Sequence, residues 1–203
     1  MPRLDSTVSL GSARLPASRI GIGTWAIGGG WGPQPEDISL EALHCALDSG
    51  CRLLDTAALY GNGRAERLIA QVFQQRQERV TTLTKIFPLN YHWSPIPGTP
   101  IETIYPRSHI VTQVEQSLAR LQTDCLDGVL FQTWCPTWTH ESGWYETMLS
   151  LQAEGKIRAF GISTSDHRPD EANGIIEAGR VALMEVPYSI LDQRAADRLF
   201  RLP

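Results

Sequence analysis

Asp55, Tyr60 and Lys85 are the residues of this chain whose types and order could do chemistry. Asp55 closes the apolar run Leu53-Leu54. Tyr60 follows in the segment Thr56-Ala57-Ala58-Leu59-Tyr60-Gly61-Asn62-Gly63. Lys85 closes a strand-like run from Val80 to Thr84. An ammonium beside a phenol stabilises phenolate, so Lys85 is expected to lower the Tyr60 pKa from its ordinary ~10. A carboxylate beside the pair, Asp55, fixes and neutralises the lysine. Such a phenol gives a proton to a carbonyl oxygen or takes one from a hydroxyl.

The elements that must position these groups alternate along the chain. Val8 to Leu10 and Ala13 to Leu15, around Gly11-Ser12, read as a hairpin. Strands are expected at 20–24, 53–55, 80–84, 126–131, 157–162 and 182–186. Helices are expected at 39–49, 65–75, 108–121, 143–154, 169–178 and 192–200, from apolar residues at helical spacing and from cap signals such as Ser108 and Gly179. Six βα units in strict alternation argue for a parallel sheet. Gly28-Gly29-Gly30 is Gly-rich but opens no obvious helix, which speaks against a dinucleotide-binding open sheet. Asp55, Lys85, Gln132 and Ser163 end strands, and Tyr60 and Tyr188 follow strands, all on the carboxyl side. A βα barrel places its chemistry there. The expected fold is therefore a TIM-barrel-like parallel (β/α) barrel of about six βα units with an N-terminal hairpin, forming one domain over residues 1–203.

Composition sets the outer limits. The chain has 203 residues, 42% hydrophobic and 20% charged, with net charge -4. That suits a globular protein and gives no basic surface for nucleic acid or an anionic membrane. No signal core and no 18-residue apolar run is present, so a cytoplasmic location is expected. Cys45, Cys51, Cys125 and Cys135 form no C-x-x-C, and no His/Cys spacing suggests a metal site. The long loop from Phe87 to Arg107 carries five prolines and is expected either to cover the barrel mouth or to form a rigid surface loop. Trp25, Trp31, Trp93, Trp134 and Trp138 fall mostly on loops of that face and would line an apolar, aromatic-accepting substrate pocket. His92, His140 and His167 lie on the same side as further proton donors or acceptors.

Taken in order, these segments resemble the aldo-keto reductase family. Gly21-Ile22-Gly23-Thr24-Trp25 resembles its first strand. Asp55 to Gly63 with Glu66 resembles its most diagnostic segment. Thr84-Lys85 resembles its lysine strand. Ser117 to Leu121, Asp124 and Leu126-Asp127 resemble its helix and entry to strand four. Gly155 to Arg158 with Gly161-Ile162-Ser163 resembles strand five, and Pro187 to Asp192 the segment after strand six. The resemblance implies an eight-stranded βα barrel that reduces carbonyls with NADPH. It also implies Tyr60 as general acid, Lys85 as its tuner and Asp55 as the lysine's anchor. It implies Ser163, Glu185 and Tyr188 as cofactor-binding positions, Tyr188 by stacking under the ring.

Three departures shape the expected function. Gln132 stands where the family has a histidine. It can hold a substrate oxygen but cannot titrate near pH 7. Glu185 stands where the family offers a glutamine to the nicotinamide amide, and a carboxylate only accepts. The sequence ends at Pro203, before the seventh and eighth βα units that hold most of the cofactor's phosphates. The first expectation is therefore cofactor-independent acid–base chemistry by Tyr60, Lys85, Asp55 and Gln132, such as dehydration, isomerisation or cyclisation. Its substrate would be an apolar or aromatic small molecule held by Trp25, Trp31, Trp93, Trp134 and His92. The alternatives are an NADPH-dependent carbonyl reductase and a non-catalytic partner protein. A homodimer or partner chain covering open sheet edges is expected in each case.

Overall fold

The structure is a computed structural model that describes residues 7–92, 95–164 and 168–200. It opens with a hairpin of β1 (Thr7–Leu10) and β2 (Leu15–Ser18), paired antiparallel with Leu10 opposite Leu15. Alternation then begins. β3 (Ile22–Gly23), α1 (Glu36–Asp48), β4 (Leu53–Asp55), α2 (Arg64–Arg76) and β5 (Thr81–Ile86) come first. α3 (Ile101–Ile104), α4 (Arg107–Leu121), β6 (Leu126–Phe131), α5 (Gly143–Ala153) and β7 (Ile157–Ser163) follow. α6 (Asn173–Glu177), β8 (Leu183–Glu185) and α7 (Arg194–Arg198) complete the described chain.

β3 to β8 lie side by side in chain order, and each pairs parallel with the next. Every residue of β5 is buried, as parallel strands covered on both faces require. The sheet curls. Leu15 of β2, Leu83 of β5, Leu130 of β6, Ala159 of β7 and Leu183 of β8 form one small apolar cluster on its inner side, sealed by the hairpin. The larger core lies between sheet and helices, with Leu43 and Leu47 of α1, Ile69 and Val72 of α2, and Ile110 and Val114 of α4. None of the described helices is long and apolar enough to cross a membrane.

Several expected bounds shift for local reasons. α1 starts at Glu36, not Ser39. Glu36 and Asp37 occupy its first turn, where carboxylates suit the helix dipole, and Ser39 Oγ donates to the Pro35 carbonyl at 2.9 Å. α4 starts at Arg107 after Pro106, and Ser108 caps nothing. β5 runs on to Ile86, so Lys85 lies one residue inside a buried strand rather than at its end. The 169–178 segment is a 3-10 turn, Pro169–Ala172, followed by the short α6.

The 87–107 loop is anchored in its second half. Ile101 and Ile104 of α3 and Tyr105 are buried. Trp138 Nε1 donates to the Thr99 carbonyl at 2.7 Å, and the Glu141 carboxylate accepts from Ile101 N at 3.2 Å. That part of the loop is packed against the body of the protein.

Candidate active site

Tyr60 is held by its backbone. Its N–H donates to the Ala57 carbonyl at 3.0 Å, and its own carbonyl accepts from Ala65 N at 3.2 Å as α2 begins. Gly61, Asn62 and Gly63 follow, all with positive φ. Gly61 and Gly28 meet backbone to backbone. A Cβ on Gly28 would come within 2.6 Å of the Tyr60 carbonyl carbon, and a Cβ on Gly61 would overlap the Gly28 carbonyl oxygen. This is the work of Gly28 in the glycine run: it seats the loop that carries Tyr60. Trp25 packs edge-on against the Tyr60 ring, with centroids 5.1 Å apart.

Lys85 reaches this ring from β5. Its side chain is fully buried, with Nζ 3.4 Å from Tyr60 Oη, 3.2 Å from the Thr56 carbonyl and in a short ion pair with Asp55 Oδ1. A fourth oxygen also approaches: Glu185 Oε2 of β8 lies 3.1 Å from Nζ. Asp55 is held in turn at its backbone, where its carbonyl accepts from both Thr24 N and Thr24 Oγ1 at 2.9 and 3.0 Å. Behind the site, Glu66 of α2 is fully buried. It accepts from Thr84 Oγ1 at 2.7 Å and from Arg120 Nη1 at 3.3 Å, tying α2 to β5 and α4.

The electrostatics correct one expectation. The Tyr60 phenol is held above its ordinary pKa, not below it. Burial is the main cause. Lys85 pulls the other way, but Asp55 and Glu185 add to the rise by cancelling the ammonium's field. Burial also works to lower the Lys85 ammonium, yet Glu185, Asp55 and Tyr60 together outweigh it and hold the lysine firmly charged. The Glu185 carboxyl is pushed up, first by burial and then by the neighbouring Asp55, against the pull of Lys85.

The remaining expected site residues divide. Gln132 follows β6, and its backbone N–H donates to the Ile86 carbonyl at 2.9 Å. Its side-chain Oε1 is buried with no partner among the described residues. Ser163 ends β7 opposite Glu185 of β8. Thr164, which the sequence reading passed over, donates its N–H to the Glu185 carbonyl at 3.0 Å and keeps a buried Oγ1 with no partner among the described residues. Its place next to Ser163 at a strand end was the available signal. Tyr188 is half-exposed against Phe200, with ring centroids 5.3 Å apart.

The expected aromatic pocket is corrected. Trp134 and Trp138 are fully buried. They pack with Tyr105, Phe131 and Trp144 in a core of edge-to-face rings, Trp134 lying 5.1 Å from Trp144 and 5.7 Å from Trp138. Trp31 stands out into solvent at 81% exposure. His92 lines a separate groove of about 310 Å³ with Asn90, Ile96 and Thr103, and neither Tyr60 nor Lys85 borders it. His140 is exposed on the 3-10 turn Pro136–His140. Trp93 and His167 lie outside the described residues.

The model of the Aldo/keto reductase family matches residues 19–202. Among curated proteins, the chain is 38% identical over 159 residues to the aldo-keto reductase YhdN of Bacillus subtilis (strain 168), covering 76% of this chain and 46% of that protein. It is 30% identical over 209 residues to the NADH-specific methylglyoxal reductase of Escherichia coli (strain K12), covering 96% of this chain and 62% of that protein. The chain thus spans about half the length of the curated relatives it matches. Among solved structures, an aldo-keto reductase from Klebsiella pneumoniae in complex with NADP and acetate superposes with a TM-score of 0.72 at 27% identity, covering 96% of this chain and 62% of that one. A glycerol dehydrogenase from Gluconobacter oxydans superposes with a TM-score of 0.72 at 25% identity, covering 95% of this chain and 58% of that one.

These findings overturn the expectation of a cofactor-independent lyase or isomerase. The relatives are named as reductases and dehydrogenases, and one holds NADP, so they point to an oxidoreductase that uses a nicotinamide cofactor. The misreading came from giving the substitutions at 132 and 185 and the position of Pro203 more weight than the intact trio. The chain belongs to the aldo/keto reductase family.

Proposed function

We propose that this chain carries the proton-transfer half of a nicotinamide-dependent carbonyl reductase site. The observation that supports the reading best is the buried ammonium of Lys85 between Tyr60 Oη and Asp55 at the carboxyl ends of β4 and β5. Tyr60 is the general acid that protonates the carbonyl oxygen as reduction proceeds. Lys85 orients the phenol and stabilises the phenolate left behind. Asp55 holds the lysine in place.

The described residues fit the nicotinamide end of the cofactor. A carboxamide offers an NH2 and a carbonyl. Thr164 Oγ1 is buried without a partner among the described residues, and beside it Ser163 is buried. These two hydroxyls would hold the carboxamide, and the half-exposed Tyr188 ring would lie against the heterocycle. The cofactor, when bound, supplies the hydride. Gln132 Oε1, also buried without a partner among the described residues, would accept from the hydroxyl of the alcohol product. By likeness to the methylglyoxal reductase relative, the substrates are short aldehydes and ketones. All four cysteines are free thiols, which supports a reducing, cytoplasmic setting.

The test is NADPH and NADH oxidation at an absorbance specific to the reduced cofactor, with methylglyoxal as the probe. Turnover is expected with at least one cofactor. Tyr60→Phe is expected to lower kcat by about 10²–10⁴-fold, the usual worth of a positioned acid, with cofactor binding retained. No oxidation with either cofactor, or full activity in Tyr60→Phe, would overturn the reading.

A further inference from the structure

Glu185 is the group at this site that the general-acid role does not use. It comes from β8, three strands away from β5 in the sheet order. On a flat sheet that separation is roughly 14 Å. The curl of the sheet brings Glu185 Oε2 to 3.1 Å from Lys85 Nζ, on the same ammonium that holds Asp55 and Tyr60. Four oxygens therefore compete for three N–H donors, since the Thr56 carbonyl also lies at 3.2 Å.

The groups facing Tyr60 are Lys85 from β5, Asp55 from β4 and Glu185 from β8. Among the described residues, the turn after β3 contributes the Trp25 ring and the Gly28 backbone. With both carboxylates charged, the cluster of Asp55, Glu185 and Lys85 carries one net negative charge. With Glu185 protonated it is neutral. The second state lets more of the lysine's field reach the phenol.

We propose that Glu185 is a proton-binding second counter-ion of Lys85, which sets the acidity of Tyr60 by gaining or losing its own proton. It acts through Lys85 and is a positioning residue. The inference rests on the acid role assigned to Tyr60 above. Burial and the adjacent Asp55 both favour the protonated form of Glu185, in keeping with this role. The consequence is a site whose acid strength follows the pH around it: Tyr60 is a stronger acid when Glu185 holds a proton and a weaker one when it does not.

The test reads Tyr60 directly and needs neither cofactor nor substrate, so its failure is distinct from failure of the reductase reading. Tyrosinate absorbance is followed through alkaline pH, and the Tyr60 component is taken as the difference between the protein and Tyr60→Phe. In Glu185→Gln the Tyr60 midpoint is expected to fall by about one pH unit, because an anion near Lys85 has gone. Glu185→Asp keeps the charge and is expected to restore most of the midpoint. An unchanged or raised midpoint in Glu185→Gln overturns the proposal, since a purely structural role would move stability and not this value. A second measurement uses the unaltered protein with 13C-labelled tyrosine. The Tyr60 ring signal is expected to shift as Glu185 titrates, with a midpoint above the ordinary Glu value of ~4.3. A signal indifferent to pH all the way from the ordinary Glu value of ~4.3 up to the onset of Tyr60's own ionisation overturns the proposal as well.

Discussion

Burial is the first influence on the Tyr60 phenol and holds it above its ordinary value. Lys85 pulls the other way, and Asp55 and Glu185, which share its ammonium, add to the rise. The proposed reduction would use the neutral phenol. A group with a raised pKa keeps its proton at neutral and mildly alkaline pH and loses it only as pH rises through the raised value. The alkaline limb of kcat/KM for reduction is therefore expected at or above about pH 10. A limb centred at roughly pH 8 would contradict the charge balance described here. Asp55, Tyr60 and Lys85 were legible in the sequence because each sits at or just beyond a readable apolar run. The Glu185 contact was not, because it joins strands three apart and depends on sheet curvature, which no local pattern encodes.

The loop between β4 and α2 is the element that aims the acid. Its conformation depends on Gly61 at positive φ with its Cα against the Gly28 carbonyl. Gly61→Ala places a methyl group where that oxygen lies. Overpacking of this kind costs about 1–3 kcal/mol, and the loop must move to relieve it. The expected outcome is a lower urea midpoint together with a loss in kcat, because Tyr60 moves with the loop. An unchanged midpoint with full activity would show that the Gly28–Gly61 contact does not aim the phenol. The sequence marked 28–30 only as a glycine run of no clear use. Its partner lies more than thirty residues away and becomes visible only in three dimensions. The tryptophans were misread for a related reason. Trp134 and Trp138 follow a strand end, as site residues do, yet the segment turns inward and packs with Trp144 and Tyr105. Burial of loop residues follows from where the chain turns, which spacing does not give.

At the scale of the whole molecule, β3 to β8 form a curled parallel sheet whose carboxyl ends gather Asp55, Lys85, Ser163 and Glu185 on one face. Strict alternation of strand and helix made that architecture readable in advance. The functional class was not readable in the same way, because the trio of acid, ammonium and carboxylate serves proton chemistry with or without a hydride donor. Likeness to reductases along nearly the full chain favours the reductase reading proposed here. The most direct test of the account is isotope transfer. The protein is supplied with methylglyoxal and nicotinamide cofactor deuterated at the hydride position, and the product is examined by mass spectrometry and NMR. The account predicts deuterium on the carbon that bears the new hydroxyl, with one cofactor oxidised per product and the signal lost in Tyr60→Phe. A product formed without cofactor oxidation, or without deuterium at that carbon when both faces of the cofactor have been labelled, would contradict it.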